Sequence, residues 1–293
     1  MANEKPISAV PVRCDIHIHL GKVYKSTNKL SHEQYTSPQE VFEFIMKCKI
    51  THAVIIYTCI NEYRELRALV PENIKLYPIK WVIDPTQTNL FNEETVGVKL
   101  HHIRGNIDGE NLFKDYDSPA MVKFLKTLPD GYLVCPHFQG ASKVVDGSRP
   151  IAIAKHALKF PNLKFIIYHS GNFGLNCYYT TELHEQLTFV AMCAETAVFE
   201  ACLAAEKLPN VFLDSSMLIS PNHYKTQHLI KHLNKLALGS DFPFTDFISP
   251  GRVVPRQEDL IMRAAKINED DIQTLHKNAV EWLETTSFLK KSL

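Results

Sequence analysis

Eight short apolar segments with β-strand character recur along the chain, and most of them precede a segment with helical periodicity. They span residues 13–19, 52–58, 74–84, 95–101, 132–138, 164–169, 210–215 and 236–241. Strands that are apolar on both faces are typical of a parallel sheet covered by helices. Eight such units predict a closed (β/α)₈ barrel, the TIM-barrel architecture. An open doubly wound sheet is the alternative, although the sequence has no GxGxxG or P-loop motif to support it.

Helix start signals lie between these strands. Ser37-Pro38-Gln39-Glu40 is a capping box with proline at the first helical position, and Ser118-Pro119 begins another helix. Further helices are predicted over 150–160, 186–207, 221–233, 256–267 and 270–284, and only a short one fits into 85–94. No linker or shift in composition divides the chain. We therefore predict a single domain over 1–293, with an N-terminal extension at 1–12.

Composition narrows the class of protein. The apolar content of 45% can fill a substantial core, and 32 basic residues balance 32 acidic ones, which argues against a nucleic-acid partner. No apolar run is long enough to cross a membrane, and the polar start of the chain does not resemble a secretory signal. The seven cysteines form no CxxC pair, as in reduced cytoplasmic proteins. We expect a cytoplasmic protein with a small-molecule substrate, and leave a homodimer open.

The most informative motif is Asp15-Ile16-His17-Ile18-His19 in the first strand. Polar and apolar residues alternate, so the three polar side chains share one face of the strand. His17 and His19 then lie about 7 Å apart along it, close enough for both imidazoles to reach one metal ion. The alternative is an exposed edge strand that carries two histidines by chance.

Polar residues also stand at the ends of the later strands, where a barrel forms its active face. They are Lys99 and His101 on the fourth strand, His137 on the fifth, His169 on the sixth, Asp214 on the seventh and Asp241 on the eighth. Imidazole nitrogen and carboxylate oxygen are the ligands that zinc and similar ions take. The sequence therefore predicts a metal site at the C-terminal ends of the strands.

The combination of motifs resembles the amidohydrolase superfamily over nearly the whole chain. The matching pieces are the Asp15-x-His17-x-His19 motif, GVKLH at 97–101, Pro136-His137, HSG at 169–171, GSDFP at 239–243 and HKNAV at 276–280. They look most like the amidohydrolase-2 (amidohydrolase-related) branch, which contains metal-dependent hydrolases and decarboxylases built on a TIM barrel. This resemblance implies that His17, His19, His137 and Asp241 hold one divalent ion, Zn²⁺ first and Mn²⁺ second.

The resemblance also implies the catalytic roles. Asp241 would accept a proton from the water that the metal activates, and His169 would orient that water. In two-metal relatives the histidine at the place of His169 is a ligand, and the lysine at the place of Lys99 can be carbamylated. The GVKLH sequence resembles that of single-metal relatives, so we expect no carbamate on Lys99. Asp15 would approach the metal or fix a histidine.

Hydrolysis of an ester, lactone or amide is the favoured activity. Decarboxylation of an aromatic or unsaturated acid is the second hypothesis, and a binding barrel without activity is the third. Some decarboxylating relatives carry Glu in place of Asp15, which favours hydrolysis. Four residues are candidates for contact with the substrate: His101, Arg104, Arg149 and Arg252. The guanidinium group of an arginine can bind a substrate carboxylate through two hydrogen bonds. The plainer interpretations are that Lys99 pairs with Asp15 or Asp241 and that Asp214 orients a loop.

Overall fold

The computed structural model describes residues 11–26, 31–82, 92–100, 116–138, 149–171, 197–216, 232–244 and 253–285. Nine described strands form one sheet in the order β2-β1-β3-β4-β5-β6-β7-β8-β9. Their bounds are β1 Cys14–Ser26, β2 Ser31–Thr36, β3 His52–Tyr57, β4 Lys75–Val82, β5 Gly97–Leu100, β6 Leu133–Pro136, β7 Lys164–Ile167, β8 Val211–Asp214 and β9 Leu236–Ala237. All neighbours pair in parallel except β1 with β2.

The sheet closes on itself through its first strand and the chain that follows β9. The amide of Ile16 donates to the carbonyl of Leu238 at 2.9 Å, and the amide of His19 donates to the carbonyl of Phe242 at 2.9 Å. A parallel bridge joins Ile18 to Phe242. The eight parallel strands therefore form the predicted α/β barrel, and the open doubly wound sheet is wrong.

The N-terminal hairpin was not predicted from the sequence. β1 continues past the expected end at His19 as far as Ser26, and its last part pairs with β2 from Gly21–Thr36 to Ser26–Ser31. Residues 21–26 and 31–36 are mostly polar, so they contain no apolar run of the kind that marked the barrel strands in the sequence.

Seven described helices accompany the strands. They are α1 Pro38–Cys48, α2 Ile60–Leu69, α3 Pro119–Leu125, α4 Pro150–Lys159, α5 at 197–207, α6 Val253–Ala265 and α7 Glu269–Glu284. The capping box of α1 is confirmed, because the amide of Glu40 donates to Ser37 and the Glu40 carboxylate accepts the amide of Ser37 at 2.7 Å. Ser118 caps α3 as expected. Helix α2 was not predicted, and most of the helix predicted at 221–233 lies outside the described residues.

The eighth barrel strand is shorter than expected, for a reason that matters at the site. A strand over 236–241 was predicted, but β9 ends at Ala237. Asp241 adopts φ 56°, in the left-handed region, which interrupts the extended strand conformation at this residue. The chain nevertheless stays beside β1, because Leu238 and Phe242 both accept amides of that strand.

A polar cluster ties the first strand to the last two helices. Arg13 donates to both carboxylate oxygens of Glu258 at 2.8 and 2.9 Å. His276 is fully buried, lies 2.9 Å from the same carboxylate through Nε2, and accepts the amide of Cys14 at Nδ1 at 3.0 Å. We call these four residues the closure cluster, because they join β1 to α6 and α7. None of the described helices is long and apolar enough to cross a membrane.

Candidate metal centre

Two of the three predicted polar residues of β1 face the barrel interior. Asp15, His17 and His19 are all buried, and His19 pairs with Ile56 on the interior face of the sheet. The register against β3 shifts between Asp15 and Ile18, as at a β-bulge, so Asp15 shares the helix-covered face with Ile18. The prediction that all three polar residues share one face is therefore wrong for Asp15. The interpretation of this segment as an exposed edge strand is also wrong, because all three residues are buried.

His17, His19 and Asp241 form a compact group at the C-terminal end of the barrel. The Nε2 atoms of the two histidines are 3.2 Å apart, and they lie 3.1 and 3.2 Å from Oδ1 of Asp241. All three residues are buried. Two imidazole nitrogens and a carboxylate oxygen aimed at one point are a donor set that fits a divalent transition metal, so this group is a candidate metal site.

The backbone is strained at the residues that form the site. Asp241, His169 and Ser170 adopt φ of 56°, 56° and 47°, a region that residues other than glycine rarely enter. Each such conformation costs roughly 1–3 kcal/mol, and strain of this kind collects at functional sites. The strain turns the Asp241 and His169 side chains into the barrel mouth instead of letting them continue a strand.

Lys99 is buried beside this group. Its Nζ atom lies 2.7 Å from Nε2 of His17 and 3.1 Å from Nε2 of His19. It also lies over the rings of Trp81 and Tyr168, at 5.4 and 4.9 Å from their centroids. Burial lowers the pKa of Lys99 to about 8, and the charges of Asp241 and Asp214 oppose that change. The lysine thus contacts the two histidines directly, rather than Asp15.

His137 and His169 form the other half of the site. Nε2 of His169 lies 3.1 Å from Nδ1 of His137, and both side chains are buried. His137 belongs to neither of the two sets of ligand atoms that lie within 4.8 Å of one another among the described residues. The structure therefore brings together three of the four expected ligands, and the place of His137 on the metal stays a prediction.

The carboxylate of Asp15 accepts hydrogen bonds from two backbone amides. Its Oδ1 atom accepts the amides of His17 at 3.0 Å and of Ser240 at 2.9 Å. These bonds fix the strand that carries His17 against the turn that leads to Asp241. Burial raises the pKa of Asp15 to about 7, while hydrogen bonds from Ser240 and His17 lower it. This arrangement supports the expectation that Asp15 positions a ligand.

Asp214 contacts His17 and does not simply orient a loop. Its Oδ2 atom lies 2.8 Å from Nδ1 of His17 and accepts the amide of His169 at 3.1 Å. Gly239 is required next to it, because a Cβ at that position would lie 2.1 Å from Oδ1 of Asp214. Burial raises the pKa of Asp214, whereas the charge of His169 and the hydrogen bonds of Ser216 lower it.

Sequence reasoning missed Ser216 and did not single out Tyr168. Ser216 hydrogen-bonds Asp214, His17 and His169, and its position two residues after Asp214 is the signal that could have revealed it. Tyr168 stacks on His17 with centroids 3.9 Å apart. Trp81 is a core residue whose ring centroid lies 5.0 Å from that of His19.

The predicted substrate contacts are less well defined. His101, Arg104 and Arg252 lie outside the described residues. Arg149 precedes α4, and its guanidinium pairs with the carboxylate of Glu200 on α5. A substrate carboxylate would have to compete with Glu200, so a role for Arg149 in binding stays a prediction.

Comparison with known proteins supports the fold. No family model and no curated protein matches the sequence. Among solved structures, a probable 2-pyrone-4,6-dicarboxylic acid hydrolase from Acinetobacter baumannii with citric acid bound is 16% identical, with a TM-score of 0.59 over 93% of this chain and 99% of that chain. A zinc-bound amidohydrolase from Burkholderia multivorans is 13% identical, with a TM-score of 0.60 over the same shares.

A third similar structure belongs to another reaction class. The 2,6-dihydroxybenzoate decarboxylase from Rhizobium is 12% identical, with a TM-score of 0.51 over 93% of this chain and 98% of that chain. Identities this low establish the fold and leave the chemistry to the residues of the site. The chain therefore has the barrel fold of amidohydrolase and decarboxylase structures, as its motifs predict.

Proposed function

We propose that the protein is a metal-dependent hydrolase that cleaves a C–O or C–N bond in a small substrate bearing a carboxylate. The buried group of His17, His19 and Asp241 carries this proposal. Its donors suit one Zn²⁺ ion, with Mn²⁺ as the second candidate, and we assign His137 as the fourth ligand. The zinc bound to the similar Burkholderia protein supports the choice of metal.

When bound, the ion would polarise the scissile carbonyl group and lower the pKa of a water molecule towards neutrality. Asp241 would accept the proton of the attacking water and transfer it to the leaving group. Burial lowers the pKa of His169 to about 3, so this side chain is neutral at physiological pH and orients the water by hydrogen bonding.

The charge of the site supports a substrate with a carboxylate. Lys99 places a buried ammonium group beside the three candidate ligands, and low-dielectric surroundings strengthen its attraction for anions. The citric acid in the similar hydrolase structure points the same way. Three carboxylates line the cluster as well, so the substrate must bind next to the lysine and the metal ion rather than to the carboxylates.

Purified protein tests the metal part of the proposal. We expect about one equivalent of zinc or manganese by elemental analysis. His17→Ala combined with His137→Ala should abolish both the metal content and the activity. Full retention of metal in this double variant contradicts the ligand assignment.

A substrate screen in ¹⁸O-labelled water tests the reaction. Small esters, lactones, amides and aromatic carboxylic acids are incubated with the metal-loaded protein. We expect label in a product carboxylate without release of carbon dioxide. Carbon dioxide release with a solvent proton on carbon would establish decarboxylation instead, the candidate that the similar decarboxylase structure favours.

A further inference from the structure

Asp214 receives hydrogen bonds from four donors at the centre of the site. Its Oδ1 atom accepts the amide of Ser216 at 2.8 Å, and its Oδ2 atom accepts the amide of His169 at 3.1 Å. The hydroxyl of Ser216 also donates to Oδ2, and Nδ1 of His17 lies 2.8 Å from the same atom. Both carboxylate oxygens accept backbone amides, so Asp214 serves as a hydrogen-bond acceptor at the centre of the site.

The direction of these bonds sets the proton position on His169. A serine hydroxyl has one hydrogen, and that of Ser216 points to Asp214. Oγ of Ser216 must therefore act as an acceptor towards Nδ1 of His169, which lies 2.8 Å away. Nδ1 of His169 carries the proton, and Nε2 of His169 carries the lone pair.

The proton position on His137 follows from that on His169. Nε2 of His169, now an acceptor, lies 3.1 Å from Nδ1 of His137. A hydrogen bond between the two rings requires the proton on Nδ1 of His137. The Nε2 atom of His137 then carries the lone pair that a ligand needs.

Two contacts fix the tautomer of His17. Its Nδ1 atom must donate to the carboxylate of Asp214, which leaves the lone pair on Nε2. Independently, Nε2 of His17 lies 2.7 Å from Nζ of Lys99, and an ammonium group can only donate. Both contacts require the same tautomer.

We infer that Asp214 and Ser216 are a positioning pair that holds His17, His169 and His137 in the Nδ1-protonated tautomer. The purpose of this pair rests on the proposed metal-dependent function, because it leaves the Nε2 lone pairs of His17 and His137 directed to an ion. The tautomers themselves follow from hydrogen-bond direction and do not depend on that function. Neither residue touches the reacting atoms in this arrangement, so both act through the histidines.

Nitrogen NMR on metal-free, ¹⁵N-histidine-labelled protein tests the inference. Long-range ¹H–¹⁵N spectra distinguish the two tautomers of each ring, and single histidine substitutions assign the signals. We expect all three rings to be protonated at Nδ1. Ser216→Ala should move the His169 and His137 signals only part of the way towards the other tautomer, because the backbone carbonyl of Ser216, 3.4 Å from Nδ1 of His169, still accepts there. His17 should be unchanged, because Asp214 still accepts from it.

Asp214→Asn should move His17, since the amide NH₂ group can donate to Nδ1. Ser215→Ala is the matched control, because Ser215 is equally buried and its hydroxyl oxygen accepts the amide of Gly239 at 3.3 Å instead of a histidine ring nitrogen. This variant should leave all three rings unchanged. Protonation of His17 or His169 at Nε2 in the unaltered protein, or equal effects of Ser215→Ala and Ser216→Ala, would overturn the inference.

Zinc affinity gives a second readout, measured by competition with a chelator. Asp214→Asn should weaken zinc binding about 10–100-fold, the usual effect of losing a partner of a ligating histidine. The original protein could instead bind a second zinc equivalent that Asp214→Asn and Ser216→Ala both lose. That result would assign His17, His169 and Asp214 as ligands and would overturn the positioning role. Correct tautomers in a protein without hydrolase or decarboxylase activity would refute the proposed function alone.

Discussion

The Nζ atom of Lys99 lies 2.7 Å from the Nε2 atom of His17, so a buried ammonium group uses the lone pair that we assign to a metal ion. The same Nζ atom reaches Nε2 of His19 at 3.1 Å. An ion and the protonated lysine cannot both hold these nitrogens. Metal binding therefore requires the ammonium group of Lys99 to move away from the two Nε2 atoms.

Replacing Lys99 tests this competition. Lys99→Met keeps an unbranched apolar side chain that is one atom shorter and removes the donor. Because a hydrogen bond from a charged group is worth about 1.5–3 kcal/mol, zinc should bind roughly tenfold tighter, as measured by chelator competition. Weaker zinc binding in the variant would show that Lys99 helps to hold the metal. A carbamate signal from the original protein after incubation with ¹³C-bicarbonate would show the same.

Asp241→Asn should remove the general base while the fold persists. Asparagine tolerates the left-handed backbone at this position, where Asp241 has φ 56°. We expect kcat to fall by about 10²–10⁴-fold, with an unchanged circular dichroism spectrum and a reduced zinc content. Activity within a few-fold of the original value would exclude Asp241 as the base. Asp241→Ala is the matched strain control, because it should also lower the melting temperature.

The closure cluster should stabilise the fold without affecting the chemistry. His276→Ala leaves the buried amide of Cys14 without its acceptor and removes a partner of Glu258, so we expect a loss of about 2–5 kcal/mol in the free energy of unfolding. Urea denaturation measures this loss. Metal content per folded molecule should not change.

An exposed ion pair provides the comparison for the closure cluster. Arg64 and Glu94 are 2.7 Å apart, but their side chains are 57% and 38% exposed. Glu94→Gln should therefore cost about 0–1 kcal/mol, well below Glu258→Gln. Equal losses for the two substitutions would contradict the structural role of the cluster.

Burial of Lys164 should make the stability of the protein depend on pH. Its Nζ atom donates to the carbonyl of Trp282 and to Thr285 at 2.7 Å, and burial lowers the pKa of Lys164 from 10.5 to about 8. Between about pH 8 and 10.5 the unfolded chain keeps a proton that the folded chain has released. The contribution of Lys164 to stability therefore rises with pH across this window and is constant below it.

Urea denaturation of the original protein and of Lys164→Met across this window measures the effect. The free energy of unfolding of the original protein, minus that of the variant, should increase as the pH rises. Taking the difference removes the titration of the buried tyrosines and cysteines that both proteins share. A difference that stays constant, or that falls with pH, would contradict the lowered pKa.

Local patterns in the sequence determined the strands, most of the helices and the residue types at the strand ends. The alternation in Asp15-Ile16-His17-Ile18-His19 put the two histidines on one face, and this period is a property of any strand. The capping box at Ser37 marked the start of α1 because it depends on residues three apart. Eight strand–helix units then indicated a barrel, since parallel strands need covered faces.

Only the tertiary structure decided which of these residues meet and what they bind. Closure of β1 onto residues 238–242 brings Asp241 to His17 and His19, which are more than two hundred positions away in the chain. The left-handed backbone at Asp241, the contact of Lys99 with the histidines and the hydrogen bonds of Ser216 also depend on this packing. Such contacts are set by distance and hydrogen-bond direction across strands, and no period along the chain records either quantity.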